Sequence, residues 1–321
     1  MKKSTRYIVQ STTYKVFLVS LFLMLLMTSC GNKQEVEVET VDSTALSVAV
    51  LPTMECLPFY VADECGLFDS LGVNVRLLTF DASMDADTAF CRGAVDVAVT
   101  DLFKACLWGS QGDSIGIVLG NDLHLFLVTA QSARIKQTKS IKEKIIGITR
   151  HSVVDYTADQ MLASVKLGND ELNRPQINDI SLRASMVDQQ QYDGALLPEP
   201  YATLSVSRGG TRVTGTDSLG IGQGLMVAVA NDSVLHIRKH DLQLLVKAYD
   251  MAVDLINQKA QKEAPRLLSY IPMEQQLPDS LAAIPTFHHS TPPTDSLITQ
   301  ASDWLRSRNL YGKSFSFIQP D

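Results

Sequence analysis

The sequence predicts an α/β protein built as two lobes with a ligand cleft between them. Short apolar strands alternate with helical patterns from Leu46 onward, and the alternation starts again near Ile145. Such alternation is typical of parallel sheets covered by helices. Two further strands, Leu125–Ala130 and Leu225–Ala230, bracket the second series. The chain is therefore expected to leave one lobe, build the other and return, with the ligand in the crevice between the sheets.

Apolar runs predict the strands, and apolar residues spaced three to four apart predict the helices. The first series gives strands at Leu46–Leu51, Val73–Phe80, Val95–Val99, Ile115–Leu119 and Leu125–Ala130, with helices at Pro58–Phe68, Asp85–Arg92 and Asp101–Trp108. The second gives strands at Ile145–Thr149, Ile177–Leu182 and Ala195–Leu197, with helices at Tyr156–Leu162, Met186–Gln191 and Pro200–Ser207. Amphipathic helices follow at Leu242–Ala260 and Asp295–Ser307. The expected first lobe is 46–130 with 225–321, and the second is 131–224.

The composition is that of a packed globular protein with an acidic surface. The 321 residues are 45% hydrophobic and 20% charged, with a net charge of -7. Residues 1–29 hold four basic and no acidic side chains, so the remainder is more acidic still. Without a dense run of Lys and Arg, such a surface repels a phosphate backbone, and no nucleic-acid partner is expected.

The N-terminus has the order of an export signal. Basic residues up to Lys15 precede the apolar stretch Val16–Met27, which is shorter than a bilayer-spanning helix. The stretch Leu26–Gly31 resembles a bacterial lipobox, in which Cys30 is acylated. We expect 1–29 to be a lipoprotein signal peptide and 30–45 a flexible tether, which places an exported, lipid-anchored protein in the cell envelope. A plain secreted protein and an uncleaved anchor are the alternatives.

The four remaining cysteines leave two interpretations open. They are Cys56, Cys65, Cys91 and Cys106, an even number in a compartment that permits disulfides. Burial as small hydrophobic side chains is the interpretation we favour over pairing. None of them has the spacing of a zinc site, and the adjacent pair His288–His289 lies among prolines that indicate a surface turn, so no metal and no cofactor is expected.

Several fragments in a fixed order carry a resemblance. They are Leu57–Ala62 with Gly66–Phe68, Gly72–Val75, Gly93–Leu102, Gly147–Thr149 with Asp155–Tyr156, and Gly194–Ala202. Together they resemble the periplasmic solute-binding proteins of ABC importers, in the group of nitrate, sulfonate, taurine and pyrimidine-precursor binders (NMT1/THI5-like). The resemblance implies a type II Venus-flytrap fold and a monomer that captures a small solute and passes it to a permease and its ATPase.

Two predicted strands end in a carboxylate where a helix begins. Thr100 and Asp101 end one of these strands, and Glu199 follows the other. In a parallel sheet, these strand ends point toward the cleft. Either carboxylate binds the solute, or it stabilises the start of the helix that follows. Both interpretations stay open.

Two loops supply the other candidate ligand-binding residues. The segment Thr149–Tyr156 joins a strand to a helix, so its amides could hold an anion with help from Arg150, His151 and Ser152. Small residues often stand here in the family, and Arg150 with His151 indicates either an anionic solute or side chains that face water. The resemblance also implies that the loop containing Met54 and Glu55 contacts the ligand. Phe59 and Tyr156 are candidates for packing on the solute or for the core.

The leading hypothesis is ligand capture without catalysis. The sequence contains no Gly-x-x-x-x-Gly-Lys phosphate loop. An enzyme on the same scaffold, of pyrimidine-precursor or menaquinone-pathway type, is one alternative. A tethered sensor that binds without transport is the other.

Overall fold

The structure, a computed structural model, describes residues 44–275 and 277–318. The expected signal peptide, Cys30 and nearly all of the expected tether lie outside the described residues. Within the described ranges, no helix is both long enough and apolar enough to cross a membrane.

The first sheet has five strands in the order β2-β1-β3-β9-β4. Its strands are β1 (Leu46–Val50), β2 (Val75–Thr79), β3 (Val97–Asp101), β4 (Ile115–Asn121) and β9 (Met226–Asn231). Strand β1 is parallel to β2 and β3, whereas β9 is antiparallel to β3 and β4. The apolar runs that predicted these strands are buried on both faces in β1 and β3.

The second sheet has four strands in the order β6-β7-β5-β8. They are β5 (Leu125–Thr129), β6 (Ile146–Gly147), β7 (Gly194–Pro198) and β8 (Thr211–Gly215). Leu125–Ala130 was expected in the first lobe, but β5 pairs with β7 and β8. No strand was predicted at β8, because its polar sequence Thr-Arg-Val-Thr-Gly lacks an apolar run.

The sheets are parallel as expected except at the two strands where the chain changes sheets, β5 and β9, which run antiparallel to their neighbours. Asp101 at the end of β3 is opposite Met226 at the start of β9, and Pro198 at the end of β7 is opposite Leu125 at the start of β5. Both connecting strands thus enter their sheet at the edge where the parallel strands end. A strand entering from that edge has to run antiparallel.

Ten helices cover the sheets in the described part of the chain. They are α1 (Leu57–Glu64), α2 (Leu67–Leu71), α3 (Ser83–Cys91), α4 (Leu102–Gln111), α5 (Val153–Ser164), α6 (Ile180–Asp188), α7 (Tyr201–Ser207), α8 (Asp232–Ile237), α9 (Lys239–Leu268) and α10 (Asp295–Ser307). The single helix predicted at Pro58–Phe68 is two, because Gly66 adopts a left-handed backbone conformation with φ 64°.

The strand predicted at Ile177–Leu182 is instead the start of a helix. The Asp179 side chain accepts a hydrogen bond from the Leu182 amide at 2.8 Å, which makes Asp179 the N-cap of α6. Ile180 and Leu182 therefore belong to the first turn of this helix. The helix ends at Asp188, inside the range Met186–Gln191 that was predicted as a separate helix.

The four cysteines in the described residues are free thiols, and they differ in burial. Cys56 and Cys106 are buried, as expected for small hydrophobic side chains, whereas Cys65 and Cys91 are exposed. Among the described residues, no group of His, Cys, Asp and Glu side chains is arranged to hold a metal ion.

Candidate functional site

A cavity lies where the carboxyl ends of the two sheets face each other. Its volume is about 90 Å³, room for several water molecules or a solute of a few heavy atoms. The first lobe contributes the loop after β1, the end of β3 and the starts of α3 and α4, and the second contributes the end of β7 and the starts of α5 and α6. Apolar side chains form much of the wall: Leu51, Ala86, Val99, Leu123, Leu125, Val153, Val154, Ile180, Pro198 and Met226.

Asp101 joins the two lobes at this cavity. Its Oδ1 accepts a hydrogen bond from the Lys104 amide in α4 and another from the Val153 amide in α5, both at 3.1 Å. Burial raises the pKa of Asp101 to about 6, although both amides favour the ionised form. Asp101 is thus both the N-cap of its own helix and a link to the opposite lobe.

A buried ion pair stands beside Asp101. The Lys104 ammonium is bonded to the Asp87 carboxylate of α3, and both side chains line the cavity. Burial raises the pKa of Asp87, while the neighbouring Lys104 opposes this rise. Because the two charges compensate each other, the pair leaves little net charge for a ligand.

Arg183 brings an unpaired cation into the cavity from α6. The residue is only 2% exposed, and its guanidinium donates to the Leu196 carbonyl, the Thr149 hydroxyl and the Ile177 carbonyl at 2.7 to 3.0 Å. Among the described residues, no carboxylate lies within ion-pair distance of the guanidinium, and no hydrogen bond involves its Nη2. Burial lowers the pKa of Arg183 to about 10, which still leaves it charged at neutral pH. The charge of Asp179 acts on Arg183 from farther away and favours its charged form.

Two further polar groups of the first lobe line the same space. The Ser83 hydroxyl is buried and has no partner among the described residues, which is uncommon for a native structure. Glu55 accepts a hydrogen bond from the His124 amide at 3.2 Å, and burial raises the pKa of its carboxyl. A neutral Glu55 would offer a donor to a ligand, and Ser83 offers a second one.

The structure brings four of the predicted site residues to the cavity: Glu55, Thr100, Asp101 and Ser152. The Ser152 hydroxyl accepts from the Val154 amide at 3.2 Å and donates to the Thr149 carbonyl at 2.7 Å. Ser152 is therefore the N-cap of α5. The anion-binding amides predicted for this segment are occupied by Asp101 and Ser152.

Two predicted aromatic residues lie in the core instead. Phe59 is fully buried against Tyr249, with ring centroids 5.0 Å apart. Tyr156 stacks on Phe103 at 4.4 Å and accepts a hydrogen bond from Gln300. An aromatic side chain on the inner face of a helix has the same sequence pattern whether it packs on a solute or in the core. Here both side chains pack in the core.

Four other predicted residues do not line the cavity. Met54 borders a separate cavity of only about 10 Å³. Arg150 and His151 are exposed, and Arg150 donates to the Arg174 carbonyl at 3.4 Å. Glu199 accepts from the Thr203 amide at 3.0 Å and pairs with Arg212, so it stabilises the start of α7.

Sequence reasoning missed Ser83, Asp87, Lys104 and Arg183. A signal was present, because Lys104 is the single charged residue in the ten residues of α4, and Arg183 the single basic residue in α6. Each stands in the first turns of a helix that follows a predicted cleft edge. A single basic residue in a mostly apolar helix marks either a buried ion pair, as for Lys104, or a buried cation that donates only to neutral groups, as for Arg183.

Comparison with known proteins identifies the class of fold. Residues 53–200 match the sequence model of the family described as NMT1/THI5 like. No curated protein matches the chain in sequence. The fold matches a ligand-binding component of an ABC-type import system from Staphylococcus aureus, crystallised with zinc, with TM-score 0.74 and 15% identity over 86% of this chain and 97% of that one.

Two other solved structures have the same fold. The alkanesulfonate-binding protein of Xanthomonas axonopodis pv. citri, bound to MOPS, has TM-score 0.70 and 13% identity over 84% of this chain and 95% of that one. The periplasmic nitrate-binding protein of Synechocystis has TM-score 0.64 and 12% identity over 76% and 69%. The chain has the two-lobed fold of the periplasmic substrate-binding proteins of ABC-type import. The NMT1/THI5-like resemblance inferred from the sequence fragments is confirmed.

Proposed function

We propose that this chain is the solute-binding component of an ABC-type importer, anchored to a membrane through lipid on Cys30, and that it captures a small organic anion. The two lobes close on the solute and present it to a permease, whose ATPase drives transport. The fold supports capture and delivery, and the unpaired Arg183 in the cleft supports the charge of the solute.

The Arg183 guanidinium carries the argument for an anion. A buried charge without an ion-pair partner costs up to several kcal/mol, and a ligand that supplies the partner recovers part of that cost. Its three hydrogen bonds go to neutral acceptors, and its free Nη2 belongs to a residue that lines the cavity. A neutral pyrimidine would leave this charge uncompensated.

The walls of the cavity favour an organic anion over an inorganic one. The apolar side chains of both lobes offer contact to hydrocarbon, as in most small-molecule sites. A sulfonate with a short alkyl group satisfies both the cation and these walls. Nitrate would satisfy the cation alone.

The side chains at the cavity also favour binding over catalysis. Burial raises the pKa of the Cys56 thiol to about 12, so it is a poor nucleophile near neutral pH. The Ser152 hydroxyl is committed to capping α5, and no histidine is among the residues that line the cavity in the described part of the chain. The Ser83 hydroxyl has no hydrogen-bond partner among the described residues, so none of these three side chains is a nucleophile with an adjacent base.

A titration of the chain from Gly31 onward tests the proposal. Methanesulfonate and a short-chain alkanesulfonate should raise the melting temperature, and a ligand at 100 times its Kd adds about 2.7 kcal/mol of stability. Nitrate and a thiamin-type pyrimidine serve as comparison ligands. Failure of every anion to bind in calorimetry, or preference for the neutral pyrimidine, would overturn the proposal.

Two variants with a matched control locate the anion. Arg183→Met should weaken sulfonate binding by about 30-fold, in the range of a lost charge-assisted hydrogen bond, and Ser83→Ala by about fivefold. Arg150→Ala removes an exposed arginine of the same lobe and should leave Kd unchanged. Because the Ser83 hydroxyl has no hydrogen-bond partner among the described residues, Ser83→Ala should fold normally. It decides the question if Arg183→Met does not fold.

A further inference from the structure

The N-terminus of α5 is already occupied by groups of the protein itself. The Val153 amide donates to Asp101 Oδ1 at 3.1 Å, and the Val154 amide donates to the Ser152 hydroxyl at 3.2 Å. A helix of 12 residues places partial positive charge at this end, which attracts anions. The place that the sequence offers to an anionic ligand thus holds the carboxylate of Asp101.

This carboxylate comes from the opposite lobe. Asp101 ends β3 and begins α4, and the same Oδ1 accepts the Lys104 amide of that helix. One oxygen is therefore shared between the N-termini of two helices that belong to different lobes. The other oxygen, Oδ2, has no hydrogen-bond partner among residues 44–275 and 277–318, and Asp101 is one of the residues that line the cavity.

The charged groups around Asp101 can compensate only one negative charge on a ligand. Lys104 and Asp87 neutralise each other in their ion pair, and burial disfavours the ionised form of Glu55. Arg183 is the remaining cation among the residues that line the cavity. A ligand with one negative charge matches Arg183, whereas a second negative charge would face the Asp101 carboxylate.

We propose that Asp101 acts as an internal anion that fills the N-terminus of α5, ties the two lobes together and restricts the cleft to ligands with a single negative charge. The link between lobes follows from the two amide bonds alone. The charge selectivity rests on the proposed function, since it requires that an anion binds in the cleft. Asp101 is in this sense a specificity-determining residue.

Hydrogen exchange of the ligand-free protein tests the link between lobes. The full-length chain in detergent is compared with Asp101→Ser, whose hydroxyl still caps α4 but is too short to reach Val153. The Val153 amide should exchange at least tenfold faster in the variant, while the Val154 amide, bonded to Ser152, should be unchanged. Equal exchange of Val153 in both proteins would overturn the link.

Calorimetry with an isosteric pair of anions tests the selectivity. Methanesulfonate and sulfate have nearly the same size but carry one and two negative charges at pH 8, where Asp101 is ionised. The wild type should bind methanesulfonate at least tenfold more tightly than sulfate. Asp101→Asn keeps the volume and removes the charge, and it should reduce this ratio about tenfold.

The outcomes separate the two proposals. An unchanged ratio in Asp101→Asn, or a wild type that binds both anions equally, overturns the charge selectivity while the proposed function stands. A wild type that binds neither anion overturns the proposed function and the selectivity together. The exchange of Val153 is measured without ligand, so it decides the link between lobes in either case.

Discussion

The Met54 amide donates a hydrogen bond to the Glu199 carbonyl at 2.8 Å, which joins the loop after β1 to the end of β7 across the cleft. A second backbone bond, from the Ile180 amide to the Asp81 carbonyl at 3.2 Å, joins the lobes on another side of the cavity. The two lobes are therefore in contact with each other in this structure. Opening of the cleft would break these bonds together with the one between Asp101 and Val153.

The carboxylate of Asp159 should be a large contributor to stability. Only 11% of its side chain is exposed, and it accepts bonds from Arg174 and from the Trp304 indole, each at 2.7 Å, and from Arg308. Asp159→Asn leaves two arginines without this charge and should lower the free energy of unfolding by ~3 kcal/mol in urea denaturation.

Asp303→Asn on α10 is the matched control for that measurement. Asp303 is 64% exposed and pairs with Arg306 at 2.6 Å in a surface ion pair, so its loss should cost less than ~0.5 kcal/mol. Similar losses in Asp159→Asn and Asp303→Asn would contradict the role assigned to Asp159, which ties the C-terminal helix to α5.

The placement of Phe59 predicts a loss of stability without a loss of affinity. Phe59 is fully buried and packs on Tyr249, away from the cavity. Phe59→Leu should lower the free energy of unfolding by ~1 kcal/mol or more, because the smaller side chain leaves part of the space unfilled. Its Kd for methanesulfonate, measured by calorimetry, should equal that of the wild type. A change of Kd by more than threefold would contradict the assignment of Phe59 to the core and indicate a role in binding.

The local pattern of the sequence predicts most of the first lobe. Apolar runs gave β1, β3 and β4 within two residues of their ends, and Thr294 with Asp295 marks the start of α10, where the predicted and observed helices coincide. Strand β8 has no such run, and the direction of β5 and β9 depends on which edge of the sheet the chain enters. Edge and direction are long-range properties that a local pattern does not contain.

The candidate site was predicted only where the backbone itself forms its edge. Asp101 and Ser152 stand at the strand-to-helix turns that face the cleft, so their place in the sequence predicts their place in the cavity. Arg183 reaches the same cavity from the second turn of α6, a helix that the sequence analysis interpreted in part as a strand. Whether Asp101 faces a ligand or another helix depends on how the lobes meet.

Arg150 and Arg183 should behave oppositely on replacement. Arg150 is exposed and makes one long hydrogen bond of 3.4 Å to a backbone carbonyl, although its sequence position suggested an anion site. Arg150→Ala should change neither the Kd for methanesulfonate by more than twofold nor the free energy of unfolding by more than ~0.5 kcal/mol. Arg183→Met should weaken binding strongly in the same calorimetric assay. If only Arg150→Ala weakens binding, the anion binds at the loop before α5 that contains Arg150.

The raised pKa of Asp101 predicts a specific dependence of stability on pH. Burial raises this pKa to about 6 from an ordinary value of 3.8, so between these values the folded protein binds a proton that the unfolded chain has released. The contribution of Asp101 to stability is therefore largest below pH 4 and is lost as pH rises through 6, by ~3 kcal/mol in total. Asp101→Asn has no such proton, so the stability of the wild type relative to this variant should fall between pH 4 and pH 8. Urea denaturation of both proteins across that range measures the difference, and a difference that stays constant would show that the carboxyl titrates normally. A difference that grows with pH would show that the two amides and Lys104 outweigh burial.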